Sequence, residues 1–592
     1  MPTAELSWEA WYTIAVIVAM LVALVREVLR PDVVMLAALG ALLLAGVLTP
    51  EQAFAGFSNP AVLTVASLFI VAAGVSRTGA FDFLDGWIAP RGSGRLSTIG
   101  RVMGSSAGLS ALLNNTPIVA MLIPRVQAVA ERVGMSSSRL MIPLSYAAIV
   151  GGMTTLIGTS TNLLASGFLQ QNGLPGFSLF EFAWIGVPAT LLVTLYMVFA
   201  GHRLLPDHAR GEGIRSDARQ FIFEVRVASG SVLAGRSVVE AELRSLGQAY
   251  LAHIRRRNVI LPATPVEVLR EEDVLAFSGD PDLLDRLVAR DGLERVMNGV
   301  ERPREDDQLM QFEAVVSANS GLVGRTLKEV RFRENYQGVV LAIHRRDEQI
   351  GRGLGTLRLE AGDLLLIEAL PGFDRRHNQS GGDFYLVAPR KTVDEPMSRR
   401  APVSMALFVG MIVVAAAGVM PLVTAAFLAA LMTVFFRCLR LSEARRSLDF
   451  SILLMMAAAL GIGQAVQTSG LAAVTGHGIV GAGAVLGSIG LLVGLYVATL
   501  LLTEVITNAA AVILMLPIAL SVAGETNVDA HGLAIAVTIA ASASFLSPVG
   551  YQTNLMVMSV GGYRFSDYFR AGIGVSLIVM LVTIVAVSQI WM

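Results

Sequence analysis

Long apolar runs crowd both ends of this chain and are missing from its middle, and that distribution constrains the fold more than any other feature. A helix needs about 20 mostly apolar residues to cross a bilayer. Residues 11–25, 32–48, 61–76, 140–170 and 183–204 are of this kind, and the pattern resumes at 402–419, 422–436, 450–467, 479–520, 532–560 and 571–591. Charged residues are only 15% of the 592, against about 25% in an ordinary soluble chain. The 45 basic and 46 acidic residues nearly cancel, so no bulk field attracts a nucleic acid. One cysteine, Cys438, and seven scattered histidines supply neither a disulfide framework nor a zinc site. No nucleophile–base pair stands out. The chain reads as a polytopic α-helical protein embedded in membrane lipid, and not as an enzyme. Its first span lacks a basic leader and a small-residue cleavage site, which predicts a retained helix.

Between about 206 and 398 charges become dense, and short β-branched runs such as Phe223–Val227, Val339–Ile343 and Leu364–Ile367 alternate with Gly and Asp turns. This predicts a soluble α+β insert. The insert is duplicated. Leu233-Ala234-Gly235-Arg236-Ser237 recurs as Leu322-Val323-Gly324-Arg325-Thr326, and Asp273-Val274-Leu275 as Asp363-Leu364-Leu365. Ala252 with Arg255-Arg256 recurs as Ala342 with Arg345-Arg346, and every pair is 89 or 90 residues apart. The predicted organisation is a membrane repeat at 1–205, insert units at 206–302 and 303–398, and a second membrane repeat at 399–592.

Basic residues stay on the cytoplasmic side. Arg26 and Arg30 put the first loop inside, as do Arg77, Arg91 and Arg95 after the third span. Arg125, Arg132 and Arg139 return to that side, so 97–125 reads as a re-entrant hairpin and not a crossing. The insert then begins inside. Arg437–Arg446, Arg564 and Arg570 are also inside, and a second hairpin at 485–520 opens from the other side. Each half holds about five crossings and one hairpin. An odd number makes the halves inverted repeats.

The halves share polar motifs. Asn114-Asn115-Thr116 and Thr507-Asn508-Ala509 each precede a proline, Pro124 or Pro517, nine residues after Asn115 or Asn508. Gly158-Thr159-Ser160-Thr161-Asn162 follows Asn115 by 43 residues, and Gly550-Tyr551-Gln552-Thr553-Asn554 follows Asn508 by 42. A hydroxyl, Ser110 or Thr503, stands four residues before each first motif. A lone Ser or Thr in a span ordinarily helps helices pack. Four aligned motifs at preserved spacing point instead to helices that break in mid-membrane. A break exposes amide N–H groups that attract an anion and carbonyls that, with Ser, Thr and Asn oxygens, suit a desolvated Na⁺. Glu504 is an intramembrane carboxylate with two readings: a cation or proton carrier, or a group paired to backbone at the hairpin interface.

On these motifs the chain resembles the divalent anion–sodium symporters, the sodium:sulfate/dicarboxylate group of the ion transporter superfamily, over about 1–204 and 400–592. The resemblance implies cation-coupled symport of a small divalent anion by alternating access, in a homodimer of a bacterial inner membrane, with Na⁺ (or H⁺) as the co-transported ion. It implies one cation site at Ser110, Asn114, Asn115 and Gly158, and another at Thr503, Ile506 (by its carbonyl), Asn508 and Gly550. The substrate would touch Asn114, Asn115, Thr116, Thr161, Thr507, Asn508, Ala509 and Thr553, with Asn162, Asn554, Pro124 and Pro517 as structural members of the motifs. Asn114 departs from the family's Ser, and Thr507-Asn508-Ala509 is a loose copy. The hydroxyl-rich Gly158–Asn162 lacks the prolines of dicarboxylate members, which favours sulfate over a dicarboxylate. No Lys or Arg lies within the motifs.

The insert is similar to the TrkA-C domain of potassium-conductance regulators, through Glu224, Glu313, the Leu-x-Gly-Arg turn and Gly362–Leu365. That likeness implies two cytoplasmic domains that dimerise and can bind a small regulatory ligand. Arg255–Arg257 and Arg345-Arg346 read as an anion pocket or as a solvated face. Gly351–Gly355 lacks nucleotide-binding spacing. Two other readings stay open. A potassium channel is suggested by the insert and by Val549-Gly550-Tyr551, although a filter needs four such loops. A cation/proton antiporter or arsenite-type permease of the same fold would use Glu504 as its carrier.

Overall fold

Apolar sequence and helix largely coincide in the computed structural model. It describes residues 7–26, 29–81, 87–88, 94–207, 222–243, 249–256, 259–262, 267–279, 292–295, 310–317, 320–345, 348–350, 354–369, 372–377, 382–389, 399–483, 487–526, 528–548 and 550–592. Arg91, Arg257, Arg346, Gly351–Gly353, Val549 and the boundary expected at 302–303 lie outside these. The chain forms two compact units, one of residues 1–207 and 395–592 and one of residues 208–394.

The first half of the helical unit contains α1 (Trp8–Val25), α2 (Pro31–Leu44), α3 (Pro50–Phe54), α4 (Pro60–Arg77), α5 (Arg95–Ser110), α6 (Asn115–Val133), α7 (Met141–Gly152), α8 (Ser160–Gln171) and α9 (Ala183–Phe199). The beginnings follow from local chemistry. Ser7 accepts from Ala10 N, Thr49 and Gln52 form a capping box, and Asn59 accepts from Ala61 N before Pro60. After the insert come α12 (Ala401–Ala416), α13 (Leu422–Phe435), α14 (Leu441–Ser447), α15 (Phe450–Thr468), α16 (Leu471–Gly483), α17 (Gly487–Thr503), α18 (Asn508–Glu525), α19 (Ala530–Ser542), α20 (Gln552–Gly561) and α21 (Phe565–Ile590), while α10 and α11 belong to the insert. Among the described residues five helices are long and apolar enough to cross a membrane: Trp8–Val25, Pro50–Arg77, Phe450–Thr468, Asn508–Glu525 and Phe565–Ile590.

The halves correspond in order, and so do their contacts. If α2, α4, α6 and α8 are matched to α13, α15, α18 and α20, exchanging the halves maps the α2–α15 contact onto α13–α4, and α8–α18 onto α20–α6. One expected run divides differently. Residues 479–520 contain the end of α16, all of α17 and most of α18. Gly470, with φ of 78°, precedes α16, and Gly487, with φ of 66°, opens α17. An apolar count does not register glycines that turn the chain in the left-handed region.

The second unit contains two five-stranded antiparallel sheets. The first has β1 (Ile222–Val227), β2 (Ala249–Arg256), β3 (Val259–Pro262), β4 (Val274–Gly279) and β5 (Leu293–Arg295) in the order β3-β2-β4-β1-β5. The second has β6 (Met310–Val316), β7 (Gly338–Arg345), β8 (Glu348–Ile350), β9 (Leu364–Ala369) and β10 (Phe384–Pro389), with α10 (Phe332–Tyr336) and α11 (Phe373–His377), in the order β10-β6-β9-β7-β8. Read from the other edge, that is the first order repeated. The duplicated residues make duplicated bonds. Gly235 N donates to Leu269 O and Gly324 N to Leu359 O, both at 2.8 Å. Arg256 clasps Asp273 through Nε at 2.9 Å and Nη2 at 2.8 Å, and Arg345 clasps Asp363 through the same atoms at 2.7 Å.

These bonds bear on the arginines. Arg255 pairs with Glu224, Arg256 also reaches Glu267, and Arg345 also reaches Glu360. Each of the three described guanidinium groups is thus paired with at least one carboxylate. The Asp363 side chain is 1% exposed. Losing one partner of a buried pair costs about 3–5 kcal/mol. Arg345→Met should therefore destabilise the second sheet by about 3 kcal/mol, read as earlier proteolysis of the insert in a urea series on the full chain. Unchanged proteolysis would show that Asp363 finds water.

Candidate functional site

Four interruptions organise the helical unit. The chain leaves helix at 111–114 between α5 and α6, at 153–159 between α7 and α8, at 504–507 between α17 and α18, and at 543–548 and 550–551 between α19 and α20. Unpaired backbone is costly where water is absent, and two buried asparagines answer it. Asn162 Nδ2 donates to Thr155 O at 2.8 Å and Gly152 O at 3.5 Å. Asn554 Nδ2 donates to Ser547 O at 3.2 Å and Ser544 O at 3.1 Å. The Thr155 hydroxyl donates to Ala111 O, and the Ser547 hydroxyl to Glu504 O. Each pair is related by 392 or 393 residues.

The two glycines allow close approach. A Cβ on Gly158 would lie 2.8 Å from Ser110 O and 2.5 Å from Gly152 O, and one on Gly550 would lie 2.8 Å from Thr503 O. Each break therefore presses against the end of the helix that carries the conserved-spacing hydroxyl. Four oxygens gather at each place. Asn115 Oδ1 faces Ser110 Oγ, Ala148 O (3.1 Å) and Gly158 O (3.2 Å). Asn508 Oδ1 faces Thr503 Oγ1 (2.9 Å), Gly550 O (3.1 Å) and Ala541 O (3.3 Å). An amide oxygen among oxygens is stable in two ways. The amide can turn its nitrogen inward and donate to them, or a cation can sit among them. Neutral carbonyl, amide and hydroxyl oxygens in a buried cage suit a weakly charged hard ion. Ser110, Asn115, Gly158, Thr503, Asn508 and Gly550 are thus brought together in two sets of three. Sequence reasoning missed Ala148 and Ala541. They act through backbone oxygen, which leaves no side-chain signature, although their 393-residue spacing is the common one.

The tips of the two halves also meet. The Asn115 amide bonds the Tyr551 hydroxyl, which lies 3.4 Å from Thr159 Oγ1, and Thr116 Oγ1 donates to Gln552 Oε1 at 3.2 Å. The starts of α6 and α20 are therefore neighbours, and the first turn of a helix holds N–H groups that lack intrahelical partners. Tyr551 and Gln552 are further candidates that lay in plain view inside the second Gly motif.

The remaining predicted residues are dispersed. Asn114 is the N-cap of α6 without a side-chain capping bond, and lines a small apolar pocket with Phe69, Ile157 and Leu163. Thr507 caps α18, accepting from Ala510 N at 3.4 Å. Ala509 and Thr161 are buried in the first turns of α18 and α8, and Ile506 is buried in the 504–507 turn. The Thr553 hydroxyl accepts from Ser145 Oγ at 2.9 Å and so faces α7. Pro124 and Pro517 stand inside α6 and α18. No hydrogen bond joins Asn114 to Thr507 among the described residues.

Glu504 is engaged with backbone. Its Oε1 accepts from Phe545 N and Leu546 N, both at 2.9 Å, and its Oε2 from Ser544 Oγ at 3.2 Å. The first half needs no such carboxylate. There Met153 N and Thr154 N still find Ile149 O and Gly151 O.

The family model described as CitMHS, citrate transporter, matches residues 21–540 and 484–592. The chain belongs to the citrate transporter family. It is thus an integral membrane transporter and not an enzyme. Within this relationship it is 34% identical to the uncharacterized transporter sll0640 of Synechocystis over 99% of this chain and 98% of the relative. It is 30% identical to the uncharacterized transporter YfbS of Escherichia coli, over 95% and 96%. It is 25% identical to sodium/sulfate cotransporter 2 of Chlamydomonas reinhardtii, over 97% and 89%.

The Glu504 bonds separate its two readings. Gln keeps an oxygen for the two N–H groups, and Ala leaves both unsatisfied at about 1–3 kcal/mol each. Glu504→Gln should transport within about threefold of wild type, whereas Glu504→Ala should lose folded protein in size-exclusion chromatography. Complete loss of transport in a well-folded Glu504→Gln would restore the proton-carrier role.

Proposed function

We propose that this transporter is a cation-coupled symporter of a divalent anion, with Na⁺ as the coupling ion and sulfate as the first candidate substrate. The observation that supports the reading is the repeated cluster: one end of the Asn115 amide and one end of the Asn508 amide each lie within hydrogen-bond reach of two carbonyls and a hydroxyl, oxygens that the amide nitrogen or a cation can satisfy. Such a cage holds an ion by exchanging its water for neutral oxygens, and leaves a local positive charge. The helix starts beside the cages then attract the anion, with Thr and amide groups of the tips as donors. Hydroxyl donors suit a compact oxyanion, and the sodium/sulfate name of a relative over 97% of the chain agrees. Citrate, from the family's description, and a dicarboxylate are the alternative substrates.

The exchange of contacts between the halves supports two inverted repeats whose hairpins and broken helices move together against the other helices. Cation and anion are linked reciprocally, each raising affinity for the other. The repeated sheets support two TrkA-C domains, which we assign to the cytoplasm of a bacterial cell from the positive-inside pattern, in a homodimer.

Proteoliposomes with imposed gradients test this. Labelled sulfate should accumulate when sodium is directed inward, more than citrate or succinate, and a proton gradient alone should not drive it. Asn115→Ala and Asn508→Ala should each abolish sodium-driven uptake in protein that elutes as wild type. Gly158→Ala and Gly550→Ala should do the same, because the added methyl meets a carbonyl. Full uptake in either Asn variant removes that cage from the mechanism.

A further inference from the structure

The first cage differs from the second at the far end of its amide. The far side of its amide is bonded to Tyr551, a residue of the other half, whereas Thr159 occupies the corresponding place 392 residues earlier. Asn115 presents oxygen at one end of its amide and two N–H donors at the other. A tyrosine hydroxyl has one hydrogen to donate and lone pairs to accept. It can therefore satisfy either end of the amide, but its hydrogen points in opposite senses in the two cases.

We infer that Tyr551 links the first cage to the anion by reversing the direction of its hydroxyl. This inference rests on reading that cage as a cation site. With a cation in the cage, Asn115 Oδ1 faces the ion and Nδ2 donates to Tyr551 Oη. The Tyr551 hydrogen then points away from the amide, where an anion oxygen at the adjoining tips, beside Thr116 and Gln552, would compete for it with the long 3.4 Å contact to Thr159 Oγ1. Without the cation, the amide turns over and its nitrogen donates to Ala148 O and Gly158 O. The Tyr551 hydrogen then goes to Asn115 Oδ1, and the hydroxyl shows the anion only lone pairs. No proton leaves any group and no bond but hydrogen bonds changes. One hydrogen, counted once, makes anion binding depend on the cation. The coupling crosses between the halves because the amide and the phenol come from different ones.

The test uses purified full-length protein. Labelled sulfate binding is measured at saturating sodium and in choline, for wild type and Tyr551→Phe. Loss of one hydrogen bond to an anion is about tenfold in affinity. Tyr551→Phe should bind sulfate about tenfold more weakly than wild type in sodium and equally in choline, while sodium still raises its thermal midpoint. A variant that keeps the full sodium enhancement overturns the inference and leaves the cage intact. A wild type whose thermal midpoint and sulfate affinity both ignore sodium overturns the cage and the inference together. A second measurement needs neither a stable variant nor an anion. The sodium-minus-choline infrared difference spectrum of wild type, labelled in its ten tyrosines, should show one tyrosine C–O band moving between hydrogen-donating and hydrogen-accepting positions. Absence of any tyrosine band overturns the inference.

Discussion

A polar backbone that stops being helical inside an apolar layer must find partners within the protein. Everything distinctive in this transporter follows from how its four interruptions meet that demand. Asn162 and Asn554 reach back to carbonyls at the two longer breaks. Gly158 and Gly550 let those breaks lie directly on the ends of α5 and α17. The carbonyls that remain, with Ser110, Thr503, Asn115 and Asn508, face inward on one another. The amide nitrogens satisfy these oxygens by turning inward, and a cation among them would do so with the amide oxygens turned inward instead.

Duplication makes the solution twice, and the places where the copies differ are informative. The second break loses helical bonding for the amides of Phe545 and Leu546, and Glu504 replaces it. At the first break helix-type bonds persist through Thr154, and Ala111 stands where Glu504 would be. Of the two readings that the sequence offers for Glu504, carrier or partner of the backbone, its bonds are those of the second. The other difference, Tyr551 against Thr159, puts an aromatic hydroxyl of one half on the amide of the other. The insert repeats the lesson: two copies, one strand order, and an Arg–Asp clasp kept at Arg256–Asp273 and Arg345–Asp363.

Spacing carried most of the site. The nine-residue interval to Pro124 and Pro517, and the 42 or 43 residues to Gly550 and Gly158, are legible because a duplicated motif is its own alignment. Ala148 and Ala541 were not legible, since a carbonyl ligand can come from any residue type. Nor was the commitment of Arg255, Arg256 and Arg345 to carboxylates, which depends on strand pairing between residues far apart in sequence. The starts of α16 and α17 escaped an apolar count because glycines such as Gly470 and Gly487 are neither polar nor helix-breaking by hydropathy. Asn114 and Thr507 look equivalent in the motifs, yet one lines an apolar pocket and the other caps its helix. Spacing assigns a place in the chain and leaves the direction of a side chain to packing.

The central claim is that two like cages each hold one cation. Equilibrium binding of radiolabelled sodium to the purified transporter tests it most directly. Two sodium ions per chain are expected in wild type, one in Asn115→Ala, one in Asn508→Ala and none in the double variant. Sodium binding that survives loss of both asparagines would contradict the account.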